Sequence, residues 1–413
     1  MIKKFFLLCA VTSLFLLTGC WDKQELEERA YVVVIGIDKH EKENFIEVTF
    51  QIANPQVGSS ARGDEANEPP SEIITLSAPD ISAAKELANS IVTRRMSFRH
   101  LQTLIVGEEL ARSDLHHRVM SSMIIEQETR RVISYIVSKE PAKAFIHANK
   151  PMLETRPHKY YQYMRERWED VGFVPDANLN RYFQRLGGEL FLTAYATTEK
   201  LNSEPKNEGY SAGELPQQGG DPVQMIGSAV FQYGKMIGTL SGRETRISLA
   251  LREKAISRNA QDTFIDPLRE NFPITARITS VQPPRIKIDL SKSPIDIDVS
   301  LQVRLQIMSD LSLTNYSTNA KKQNILKQSL REQLTKRTLD MIKKTQNEFK
   351  AEPFLWHLKT RRQFKTIQSF EAFDWEEKYQ NANVKVHYNV EIANFGEQTK
   401  PAKLRKPEVS GGT

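Results

Sequence analysis

The sequence is poor in the side chains on which most metal, redox and covalent chemistry depends. It holds two cysteines and eight histidines in 413 residues. Cys9 lies inside an N-terminal apolar run and Cys20 closes it. With that run removed as a leader, the remaining chain has no disulfide, no thiol nucleophile and no cysteine set for zinc or an iron–sulfur cluster. No H-E-x-x-H, G-x-G-x-x-G or G-x-x-x-x-G-K-[ST] occurs. The nearest approach to a nucleophile elbow, Gly58-Ser59-Ser60-Ala61-Arg62, lacks the closing glycine and falls in a loop. Charge of one sign is also scarce: 57 Lys and Arg against 51 Asp and Glu leave a net +6. No dense basic run singles out nucleic acid as a partner. Hydrophobic residues make up 39% and charged residues 26%, the balance of a folded globular chain of two or three domains.

What is present starts at the N-terminus. Lys3 and Lys4 precede an apolar stretch, Phe5 to Leu17. It is shorter than the ~20 residues a spanning helix needs and has the length of a signal-peptide core. It ends in Leu17-Thr18-Gly19-Cys20, which resembles the lipobox of bacterial lipoprotein precursors. The expectation is a signal peptide over 1–19, with Cys20 carrying the fatty-acyl (palmitate-type) anchor. Two or more acyl chains hold a protein stably on a bilayer, where one holds it only marginally. The polar stretch from Trp21 to Arg29 spans at most about 30 Å when extended, so the folded body sits close to the membrane.

Along the rest of the chain the pattern is mixed α/β and α+β, in several domains. Tyr31 to Ile37 is a dense β-branched run that reads as a buried strand, and Phe45 to Ile52 alternates as its partner. Residues 55–72 read as a surface loop and Ile73 to Leu76 as a strand. A helix follows with Ser77 or Asp80 as its cap and Ile81, Ala84, Leu87, Ala88, Ile91 and Val92 on its apolar side. Leu101 to Val106, Val132 to Val137 and Leu190 to Tyr195 read as strands, with helices near 108–125 (broken at Ser113-Asp114) and at Tyr160 to Trp168. The expected organisation is 20–200 as an N-terminal α/β region, possessing one or two subdomains, and 201–222 as a linker or loop. A C-terminal α+β domain then covers 223–396, and 397–413 is a frayed tail. That C-terminal domain opens with a hairpin at Met225 to Leu240. It continues as an antiparallel sheet with a long helix over 319–349, whose stripe is Leu326, Leu330, Leu334 and Met341.

Candidate chemistry is thin. His116 and His117 are adjacent, so on a helix they diverge by about 100° and cannot grip one metal together; they read as solvated or partly packed. His147, His158 and His357 are isolated. Glu126-Gln127-Glu128-Thr129-Arg130-Arg131 reads as a solvated helix end with cations near the carbonyl terminus. Arg94 and Arg95 read as a helix C-terminus, with Arg99 and His100 completing a small basic group open to an anionic partner. The 319–349 helix is basic, and Arg337 intrudes on its apolar stripe. No catalytic, cofactor or metal site is expected, and no enzyme activity.

The order of several short motifs resembles the Ger(x)C family, the lipoprotein C subunits of bacterial spore germinant receptors. The motifs are Gly19-Cys20-Trp21-Asp22 with Glu25-Leu26, then Val34-Ile35-Gly36-Ile37-Asp38. Phe98-Arg99-His100-Leu101, Ile105-Val106-Gly107-Glu108-Glu109-Leu110-Ala111 and Glu128-Thr129-Arg130 follow. In the second half come Gly227-Ser228-Ala229-Val230-Phe231, Gly238-Thr239-Leu240 and Glu244, and the close runs from Trp375 through 384–392. The resemblance implies an exported subunit built from three α/β-type domains and anchored on the outer face of the spore inner membrane. It implies partnership with an A subunit and a multi-spanning B subunit in nutrient detection. The alternative is a solute-binding lipoprotein that captures a nutrient itself, for which two similar doubly wound lobes are expected.

Overall fold

The computed structural model describes residues 28–54, 69–199, 219–253 and 260–396. The leader, Cys20, Trp21-Asp22, loop residues 55–68, the segment 200–218 and the tail 397–413 lie outside the described residues.

The first strand, β1 (Arg29–Lys39), carries the β-branched run and is buried on both faces. That burial is why its sequence is continuously apolar rather than alternating. A register shift between Val32 and Val34 turns Val33 and Val34 to the same side, while Val32, Ile35 and Ile37 face the other. Antiparallel partners β2 (Ile46–Ala53) and β3 (Ser71–Ala78) extend the sheet on one edge. Helix α1 (Ile81–Asn89) then returns along the sheet, capped by Asp80, whose side chain accepts the Ala83 N–H at 2.8 Å. Ile81, Ala84 and Ala88 are buried, but Leu87 and Ile91 are solvent-exposed, so the apolar stripe is narrower than its spacing suggests.

On the other edge of β1 lie β4 (Arg95–Ser97) and β5 (Thr103–Gly107), both parallel to it. The helices α2 (Glu108–Ala111) and α3 (Leu115–Ile125) break at Ser113-Asp114, as the sequence indicates. They lead to β6 (Ser134–Ser138), parallel to β5. Next come α4 (Ala142–Ala148), α5 (Pro157–Val171) and α6 (Leu179–Gln184), and then β7 (Phe191–Thr197), parallel to β6. Helices α1, α3 and α6 cover one face, and α4 and α5 cover the other.

The hairpin β8 (Gln224–Gln232) and β9 (Lys235–Ser241) completes this sheet, because β8 pairs antiparallel with β7. The nine-stranded sheet therefore runs across the segment between β7 and β8 without interruption. A helix, α7 (Gly242–Ala250), leads into the second sheet of five strands.

In that sheet β10 (Ala260–Ile265), β11 (Pro273–Ser280) and the long β13 (Asp296–Asp310) pair antiparallel in sequence. The strand β12 (Arg285–Asp289) continues along the same edge of β13 after β11, past Pro283-Pro284. Prolines lack the N–H that pairing there would use, so the edge breaks at that point. The long helix α8 (Ala320–Lys344) buries Leu326, Leu330, Leu334 and Met341 on the sheet, the stripe read from the sequence, and ends in a π-helical turn, Thr345–Phe349. Short helices α9 (Trp356–Arg361), α10 (Ile367–Glu371) and α11 (Trp375–Gln380) follow. The closing strand β14 (Asn383–Asn394) joins β13 in parallel, the one departure from the antiparallel pattern.

The end of the Gly36-Ile37-Asp38 motif has a structural task. Asp38 Oδ1 accepts the Ala142 N–H at 2.6 Å and Oδ2 accepts the Lys143 N–H at 2.8 Å, so the carboxylate holds the first turn of α4. Burial pushes its pKa up to about 6, against the lowering effect of those two N–H groups. Gly107 is required beside it, because a Cβ there would collide with Asp38 Oδ1. Replacing a capping carboxylate and stranding two shielded N–H groups costs about 2 kcal/mol. Asp38→Ala is expected to lower unfolding free energy by that amount in urea titration, and an unchanged midpoint would refute the anchoring role.

Candidate functional site

Two of the first-half motifs, Phe98-Arg99-His100-Leu101 and Glu128-Thr129-Arg130, meet at the end of the first sheet where β1, β4, β5 and β6 begin. Lys85, on α1, lies 3.2 Å from Glu126 and 3.0 Å from Glu128, and its ammonium stands 4.6 Å above the Phe98 ring. Glu128 also accepts the Phe98 N–H at 2.9 Å and pairs with Arg99 at 3.4 Å. Partial burial raises the Glu128 pKa, but the Phe98 N–H and Lys85 outweigh it and hold the carboxyl below its ordinary value. A polar groove of about 370 Å³ opens here, lined by Arg29, Lys85, Asn89, Arg95, Arg99 and Glu128 among others.

Two sequence readings are corrected at this place. The 126–131 stretch is not a solvated helix end: α3 stops at Ile125, and Glu126 and Glu128 fold back onto Lys85. Arg94 and Arg95 do not close a helix either. That helix stops at Asn89, whose side chain accepts the Met96 N–H, and Arg95 opens β4 opposite Arg29. Fixed spacing cannot show that Phe98 and Glu128, thirty residues apart, share a hydrogen bond.

The second-half motif also proves to be a joint. Gly227 adopts φ +138°, and a Cβ there would strike the Leu240 carbonyl, so only glycine fits opposite β9. Ser228 Oγ lies 2.7 Å from Thr245 Oγ1 on α7. Glu244 completes a capping box with Ser241 and reaches the Lys344 ammonium at 2.9 Å, tying α7 to the C-terminal end of α8. Arg337, the apparent intruder on the α8 stripe, pairs with Asp262 at 3.0 Å and lies over Phe264.

A third constellation, not singled out by sequence, links the two sheets. His357 is buried; its Nδ1 lies 2.8 Å from Glu352 Oε1 and its Nε2 lies 2.9 Å from Glu189 Oε1. Glu189 belongs to the segment entering β7, whereas Glu352 and His357 follow the long helix. Beside them, Trp356 Nε1–H donates to the Leu251 carbonyl at 3.0 Å. Burial alone would depress the His357 pKa, yet the two carboxylates raise it to about 9, so the imidazolium persists at neutral pH. Nothing in the isolated His357 codon position signals this; the partners are distant in sequence and meet only through the fold.

Two further histidines, His116 and His117, make hydrogen bonds within the body of the first sheet. His116 is fully buried rather than solvated, with its ring nitrogens 2.6 Å from the Gly234 carbonyl and 2.5 Å from the Tyr135 hydroxyl. Burial pushes its pKa down to about 4, so it is neutral. His117 lies 3.3 Å from the Tyr182 hydroxyl, and His147 is exposed on α4. Among the described residues, no group of three or more His, Cys, Asp or Glu is placed to hold a metal ion. Nor, among them, is any helix long and apolar enough to cross a membrane.

A nine-stranded mixed sheet with a parallel centre, joined to a smaller and chiefly antiparallel sheet under a long helix, makes this a two-part α/β protein whose motif residues serve as joints. The sequence falls into a known family on both sides. Residues 22–197 match the spore germination protein N-terminal domain, and residues 226–396 match the spore germination B3/GerAC-like C-terminal domain. The chain belongs to this spore germination family, the Ger(x)C family. It is similar to spore germination protein KC of Bacillus subtilis (strain 168), 30% identical over 128 residues, 30% of this chain and 31% of that protein. The match thus spans about a third of that relative's length. YfkR of the same strain is 22% identical over 393 residues, 92% of this chain and 94% of its own length. The crystal structure of the GerBC protein shares the fold, with a TM-score of 0.53 at 16% identity over 90% of this chain and 100% of that one.

The His357 joint sets a pH dependence. Its folded pKa, about 9, lies above the ordinary 6.5. The stabilisation is therefore complete below pH 6.5 and is lost as pH rises through 9. The thermal midpoint is expected to fall between pH 6.5 and 9, and His357→Gln is expected to lower it at pH 6.5 while removing that slope. A slope unchanged in the variant would refute the assignment.

Proposed function

We propose that this chain is the lipid-anchored C subunit of a nutrient germinant receptor, a non-catalytic interaction body that works through contacts with membrane A and B subunits. Membership of the spore germination family over both halves is the observation that carries this reading. The leader ending in Leu17-Thr18-Gly19-Cys20 supports acylation of Cys20 and a place on the outer face of the spore inner membrane. The uses found for the motif residues agree with it: Asp38, Glu128, Gly227 and Glu244 fix elements to one another. The two sheets are unlike in strand direction and size, which disfavours a pair of similar lobes closing on a solute.

Two outcomes are expected. Cys20→Ala removes the acyl mass from the N-terminal peptide and moves most of the protein from the membrane to the soluble fraction of spores, as read by mass spectrometry and immunoblotting. Purification of the acylated protein from spore membranes in mild detergent co-recovers a multi-spanning subunit. Repeated recovery of the chain alone, or an unmodified Cys20, would overturn the proposal.

A further inference from the structure

We infer that the end of the first sheet where its parallel strands begin is a docking surface for a bilayer rich in anionic headgroups. This inference rests on the anchored reading above, since it says which face the anchor presents to the lipid. The strand direction supplies the geometry. The parallel strands β1, β4, β5 and β6 all start at this end, so the connections 90–94, 98–102 and 126–133 gather there. The chain arrives at the same end, entering β1 at Arg29. Trp21 to Arg29, nine residues, follow Cys20. Extended, they reach about 30 Å; any shorter path brings this end nearer the lipid.

The gathered connections are basic. Arg94, Arg95, Arg130 and Arg131 make no ion pair among the described residues, and Arg95, Arg130 and Arg131 are exposed. Arg99, 62% exposed, adds a further cation. The acids at this end are fewer: Glu126 and Glu128 are held by Lys85, leaving Glu28, Glu72 and Glu86. The opposite end differs, for there Lys39 pairs with Glu109, Lys139 with Glu199 and Arg112 with Glu108. Unneutralised arginine at one end and paired charge at the other make the sheet electrically polar along its strands.

Exposed apolar side chains stand among those arginines. Ile91, Ile125 and Val132 are 60%, 81% and 67% exposed, each on a connection that carries or adjoins the cations. Apolar groups flanked by arginine suit the boundary between headgroups and acyl chains, where one enters and the other pairs with phosphate. An acidic protein face could use the same groups, but the entry of the chain at this end, nine positions after Cys20, favours the lipid.

The test uses the chain from residue 20 onward carrying Cys20→Ala, which removes nothing from the described fold and leaves no acyl group. Co-sedimentation is measured with vesicles of phosphatidylcholine alone and with vesicles containing about 30% phosphatidylglycerol. Binding to the anionic vesicles is expected to exceed that to neutral ones by about tenfold or more and to collapse in about 0.5 M salt. Arg94→Glu with Arg95→Glu, Arg130→Glu and Arg131→Glu should reduce it about tenfold, as should the milder pair Arg130→Gln and Arg131→Gln in part. A control at the far end, Lys39→Glu with Lys42→Glu, should leave it unchanged. Equal sedimentation with both vesicles, or arginine variants that bind like the parent, overturns the inference. So do arginine variants that keep vesicle binding but lose a receptor subunit in pull-down, which would assign the patch to a protein. Because no acyl group takes part, these outcomes stand whether or not Cys20 is acylated, which the mass of the native protein decides separately.

Discussion

Parallel strands have a direction in common, and in this protein that shared direction organises everything else. The strands β1, β5, β6 and β7 run alike, so each connecting helix must carry the chain back to one end of the sheet before the next strand begins. Loops delivered to that end are free to carry charge because both sheet faces are closed by helices. The chain's own entry point at Arg29 falls there too. The proposed anchor upstream of β1 would consequently bear on the orientation of the whole body, not only its distance from the bilayer.

Rigidity extends that orientation to the second sheet. Pairing of β7 with β8 continues the first sheet past the intervening segment, and the body after it is bound at several places. Glu244 meets Lys344, His357 sits between Glu189 and Glu352, and Trp356 bonds to the Leu251 carbonyl. A buried charged residue of this kind is weak support for net stability, but removing one partner strands the others at a cost of about 3–5 kcal/mol. Such joints favour a single relative placement of the two sheets.

Much of this was legible from periodicity. The doubly buried β1 shows as Tyr31 to Ile37, the α2–α3 break as Ser113-Asp114, and the α8 stripe as four spaced apolar residues. These are local signals, set by burial on one or two faces. Pairing was not legible: the polar composition of 201–222 says nothing of which strands flank it. The basis of the Arg337 exception was equally hidden, since its partner Asp262 lies 75 residues away. The convergence of Phe98, Glu128 and Lys85 was not legible either: the ordered resemblance marks Phe98 and Glu128 without saying what they touch, and it does not mark Lys85. His116 was misjudged because a histidine beside another histidine carries no mark of burial, and its aromatic surroundings come from three separate elements.

Orientation against the lipid is the quantity that discriminates. Strand β1 is about 35 Å long at ~3.3 Å per residue, several times the ~8 Å screening length of physiological salt. A fluorophore placed at one end of the sheet therefore reports a very different depth from one placed at the other. The direct measurement is quenching by lipid-borne quenchers in reconstituted bilayers holding the acylated protein, labelled at Thr93→Cys or at Glu43→Cys. Strong quenching from position 93 with little from position 43 is the expected result; equal quenching, or the reverse order, would contradict a body seated on its strand-start end.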